Sequence, residues 1–94
     1  MSHYAEQHKV ALISAIEVVL MSMGNAKYHS TVAKLRALYD IDIRECFDHP
    51  EYLKTVLKQV YTEDYEHIIS EVKARLDTLV DLPDFKQFFK IVES

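Results

Sequence analysis

Three groups of side chains in this 94-residue chain have types and spacings that chemistry uses. Glu63, His67 and Glu71 stand four residues apart, so on a helix they share one face, and Asp64 lies three residues before His67. Carboxylate bundles for two irons need two Glu-x-x-His pairs and two further glutamates from other helices. Only one partial pair occurs here, so the expectation is a solvated acidic face with a surface histidine and no metal site. His3 and His8 are five apart, fall on different faces of a helix and make a poor chelate. Cys46 and His49 stand at i and i+3, a relation that can lower a thiol pKa. Placed between Ile43 and Phe47, however, Cys46 reads as a small apolar core residue, and His49 as a cap or turn residue before Pro50. There is no Gly-x-Ser-x-Gly elbow, and a single glycine cannot build a phosphate cradle. No catalytic, cofactor-binding or metal-ligating residue is assigned, and the chain is expected to be non-enzymatic.

Two stretches point to binding instead. Residues 26–39 hold Lys27, His29, Lys34 and Arg36 with no acid, after a tight turn at Gly24-Asn25. Helix, short turn, helix is the outline of a DNA reader, which makes Lys27, Lys34 and Arg36 a candidate nucleic-acid or anion face. Against it, the whole chain carries a net charge of −4, and phosphate affinity depends on neutralising backbone charge. The charge is uneven: +2 over residues 1–39, −5 over 40–70 and −1 over 71–94. The tyrosines and phenylalanines sit mostly at core-facing helical positions rather than between bases, which suits packing better than stacking. A DNA-binding transcriptional regulator using segment 26–39 is therefore the second reading. The first comes from residues 10–23, whose only polar positions are Ser14, Glu17 and Ser22. A helix so widely apolar is either central in a bundle or shared with another subunit. Ile13, Ile16, Val18 and Met21 form the candidate self-association face of an expected homodimer.

The elements that must position these residues are marked by three breaks. Pro50 suits the first position of a helix and pushes His49 out of the α region, so the preceding helix stops there. Gly24-Asn25 closes an earlier segment, and Leu82-Pro83-Asp84 opens the last. The spacing predicts helices over about 4–23, with Ser2 as a possible cap, and over 26–39, capped by Asn25. A short helix over 44–48 comes next, capped by Asp42. Others start at Pro50, at a Thr62 cap with Tyr65, Ile68, Ile69, Val72, Leu76 and Leu79 in register, and at Pro83. One glycine and two prolines argue against an all-β fold, and 49% apolar residues are enough for a helical core. The expectation is one all-α domain over 1–94, a compact orthogonal bundle of five to six short helices with no sheet. A single cysteine points to a reducing cytoplasm. The 14 apolar residues from Val10 contain Glu17 and are too short to span a bilayer, and no signal-peptide pattern surrounds them.

The run Cys46-Phe47-Asp48-His49-Pro50-Glu51-Tyr52-Leu53-Lys54, with Val56-Leu57 and the helix Tyr65 to Leu79 after it, resembles the Nitrosopumilus output domain family. The likeness reaches from about Val10 to Val92. It implies a small all-helical archaeal module, found alone or joined to phosphoreceiver domains as a signalling output. It carries no catalytic or ligand residue onto this chain. These 94 residues hold no receiver domain, so the likeness does not extend to phosphorelay coupling.

Overall fold

Two prolines and one glycine divide the chain where their backbones demand it. The computed structural model describes the backbone of residues 3–94 and the side chains of residues 6–94. The Ser2 cap and the His3 ring lie outside these described residues. Helix α1 (His3–Ser22) ends at Gly24, whose φ of 122° is open to glycine and strained for other residues. Helix α2 (Asn25–Tyr39) closes on Asp40 in the left-handed conformation, with the Asp40 N–H donating to Arg36 O at 3.0 Å. A 3-10 turn (Ile43–Phe47) leads to α3 (Pro50–Tyr61), which has Pro50 at its first position. A second 3-10 turn (Thr62–Asp64), α4 (Tyr65–Leu76), a third 3-10 turn (Asp77–Asp81) and α5 (Pro83–Val92) complete the order. The described residues are 89% helical and contain no strand.

The helices are fewer than the expected five to six separate rods. Residues 50–81 run on as α-helix and 3-10 turn without a loop, so the described residues form four main helical stretches. The expected short helix over 44–48 is a 3-10 turn of five residues, too brief to settle into α geometry. Asp42 does cap it. Its carboxylate accepts from Arg44 N at 3.4 Å, and the Glu45 carboxylate accepts from Asp42 N at 2.9 Å. Two other expected caps are displaced. Gly24 occupies the cap position of α2, and Asn25 is already helical. Thr62 makes no side-chain cap bond and instead turns the chain at φ 45°.

α1 is the central element, packed against α2, the Ile43–Phe47 turn, α4 and α5. Leu12, Ile13, Ile16, Val19 and Leu20 are its most deeply buried residues, each no more than 3% exposed, with Ala15 beside them. They meet Leu35 of α2, Leu53, Val56 and Leu57 of α3, Ile68 and Val72 of α4, and Phe85, Phe88 and Phe89 of α5 in one apolar cluster. Burying each such side chain contributes about 1.5–3 kcal/mol against the entropy of ordering the chain.

Candidate functional site

The outer side of α1 carries three of the five exposed large apolar side chains among the described residues. Val10 is 61% exposed, Val18 44% and Met21 46%. At 3.6 residues per turn these three lie with Gln7 and Ser14 on one stripe about 80° wide. Ile13 and Ile16, expected on the same self-association face, are each 2% exposed and belong to the core. The expected face is therefore split. Its isoleucines turn inward with Leu12 and Leu20 because four elements close over that side, and only Val18 and Met21 stay outside, joined by Val10.

Along one edge of this stripe, Glu6, Val10, Ile13 and Glu17 of α1 face Asp42, Arg44 and Glu45 across a groove of about 550 Å³. Its carboxylates are partly committed. Glu45 and Asp42 hold the 3-10 turn, and Glu17 Oε2 accepts from the Tyr28 hydroxyl at 2.8 Å. Burial, then the nearby Glu17 carboxylate, pushes the Tyr28 hydroxyl up to about 12. Glu17, one of the three polar positions in residues 10–23, is thus a strut between α1 and α2.

The candidate basic face of α2 does not assemble. Thr31 and Leu35 point into the core and set which side of α2 is outward. Lys27 and Lys34 lie along one edge with exposed Leu38, whereas Arg36 lies about 180° around the helix from Lys27. Lys27 Nζ sits 5.6 Å from the centre of the Tyr61 ring, and Arg36 Nη1 is 3.8 Å from Asp40 Oδ1. The three cations cannot track one phosphate backbone together.

Cys46 is fully buried, and its thiol is pushed up to about 12 by burial and then by the carboxylates of Asp42, Glu45 and Glu51. A thiol held protonated in this way is a weak nucleophile near neutral pH. The His49 ring stacks on Tyr52 at 4.8 Å, and Tyr52 stacks on Tyr39 at 4.0 Å, a three-ring pile that pins the start of α3 to the end of α2. Glu63 stands in the turn before α4, off the helix that carries exposed His67 and Glu71. Among the described residues no group of three or more His, Cys, Asp or Glu side chains could hold a metal ion. One pair is absent from any local pattern. His8 Nδ1 lies 2.7 Å from Asp84 Oδ2, with the His8 ring edge-on to Phe85 at 5.5 Å. Seventy-six residues separate the partners, too far for sequence spacing to signal the contact.

Set against known proteins, the chain matches no family model, no curated protein and no solved structure. No described helix is long and apolar enough to cross a membrane.

Proposed function

We propose that this chain is a non-enzymatic protein-interaction module, of the signalling-output kind that its Cys-Phe-Asp-His-Pro-Glu-Tyr-Leu run resembles, and that it self-associates through the outer stripe of α1. The observation that carries this reading is the alignment of exposed Val10, Val18 and Met21 on one face of the longest helix. A single exposed apolar side chain is ordinary, but three on one stripe suit a partner surface. Ser14 lies at the centre of that stripe, where a small side chain allows close helix approach. A two-fold pairing of antiparallel α1 helices about Ser14 sets Val10 of each copy against Val18 of the other. A cytoplasmic setting goes with this reading, since it leaves the lone Cys46 reduced.

Sedimentation equilibrium tests it. The native chain is expected to dimerise at tens to hundreds of micromolar, roughly the range for a small interface. Val18→Glu should leave a folded protein with dimerisation weakened at least ~10-fold, since a charge would be buried. A native protein that stays monomeric at high micromolar concentration overturns the homodimer. A specific duplex-DNA complex tighter than about micromolar at physiological salt would move the assignment to a DNA-binding regulator using segment 26–39.

A further inference from the structure

The junction between α3 and α4 is short and strained. Tyr61 ends α3, and Thr62, the first residue of the 3-10 turn that leads to Tyr65, bends the chain at φ 45°, ψ −101°. Asp77, at the other end of α4, has φ 55°, ψ −125°. This region of backbone space favours glycine and is worst for a β-branched residue such as threonine. No side-chain hydrogen bond caps either turn or the start of α4. The two junctions differ in the residues on their C-terminal sides. Beyond Asp77 the chain reaches Pro83, which lacks an N–H and stops any helix running through it. Around Thr62 nothing stops a helix, because residues 51–82 contain neither glycine nor proline. Moving Thr62 into the α region would release its strain and fuse α3 and α4 into one helix over 50–76.

That motion would carry α4 and α5 away together. They are tied to each other by the Tyr65 hydroxyl donating to Val92 O at 2.7 Å and by Lys73 Nζ 2.9 Å from Glu93 Oε2. They pack on α1 and α3 through Ile68, Val72, Phe85, Phe88 and Phe89, all buried. Such faces do not stay in water, and the surface shaped to receive them is α1 and α3 of another copy. We infer that Thr62 is the hinge of a domain swap, in which two copies exchange α4–α5 and each carries a continuous helix over 50–76. The tertiary contacts of the closed chain, His8–Asp84 among them, are then remade between chains. Two relieved hinges are set against the lost freedom of one chain. This exchange does not depend on the α1 stripe, which stays on the outside of either form.

The test compares Thr62→Gly with Thr62→Ala, each refolded from denaturant at high micromolar concentration and separated by size. Glycine accepts the closed turn, while alanine keeps its strain and favours the helix. Two hinges open per dimer, so about tenfold at each hinge gives about a 100-fold difference in the dimerisation constant, with alanine the stronger. Spin labels at Glu51→Cys and Ala74→Cys, in chains diluted with unlabelled protein, should stand about 35 Å apart in the dimer, the length of a straight helix over those residues. In the monomer, bent at Thr62, the separation should be shorter. The Thr62→Ala dimer should survive Val18→Glu, which separates it from a dimer made through the α1 stripe. Equal dimer fractions for the two Thr62 variants, no dimer from either, or a dimer that keeps the short label distance would each overturn the hinge.

Discussion

At the scale of single residues, burial decides chemistry here. Cys46 has no exposed surface, and its thiol is held protonated up to about 12. Alkylation of the native protein by iodoacetamide at pH 8 should therefore depend on global opening and run about 100-fold or more slower than in denatured chain. Labelling as fast as in denaturant would mean that solvent reaches the thiol in the native fold. Tyr61 presents the opposite case. Its ring is 1% exposed, and its hydroxyl, facing Thr31 of α2, is buried without a well-formed hydrogen bond. Removing an unsatisfied buried hydroxyl costs nothing, so Tyr61→Phe should be neutral or stabilise by up to about 1 kcal/mol in urea unfolding. A loss of more than about 1 kcal/mol would show that the hydroxyl is bonded after all. Local sequence already marks Cys46 as core, because it lies between Ile43, three residues before it, and Phe47, next to it. The His8–Asp84 contact is invisible at this scale, since only the assembled fold brings α1 and α5 together.

At the scale of elements, the sequence is most legible where backbone chemistry forces a break. Pro50 and Pro83 open α3 and α5 as expected from their missing N–H groups. Gly24 ends α1, but its positive φ also makes it the cap of α2, a double duty that the polar side chain of Asn25 masks. A Cβ built on Gly24 meets nothing within 4 Å, so only backbone strain opposes Gly24→Ala. That substitution should lower stability by about 1–2 kcal/mol and leave the fold intact, as read by thermal melts and circular dichroism. Loss of helical signal at 25 °C would mean that the turn tolerates no strain. The inward side of α1 is not legible in the same way. Residues 10–23 are apolar on nearly every side, so periodicity names no preferred direction, and neighbouring helices make the choice. For that reason Ile13 and Ile16 part from Val18 and Met21. Thr62 at the α3–α4 junction reads as a cap because Thr is a good cap by type, while its backbone angle is set by tertiary packing.

At the scale of the whole molecule, the radius of gyration is 12.4 Å, which matches the ~12 Å expected of a closely packed chain of this length. Close packing around titratable groups ties stability to alkaline pH. Burial pushes the Cys46 thiol from 9.0 and the Tyr65 hydroxyl from 10.0 up to about 12, and Tyr28, partly exposed, moves the same way. In the unfolded chain these groups lose their protons near their ordinary values, while the folded chain keeps them. Between those limits the unfolded state binds fewer protons, so stability must fall as pH rises. Their contribution is complete below about pH 9, and each fully buried group then removes up to about 1.4 kcal/mol per pH unit until its folded pKa is reached. Exposure makes the Tyr28 share smaller. The melting temperature should be level from pH 7 to about 8.5 and decline steadily above 9. Cys46→Ala separates the contributors. It costs packing at neutral pH but removes the group that titrates first, so the gap between variant and native protein should narrow from pH 9 upward while the tyrosine-driven decline remains. A gap that stays constant to pH 11 would show that the thiol ionises equally in both states, which a Cys46 enclosed between the Ile43–Phe47 turn and α3 does not allow.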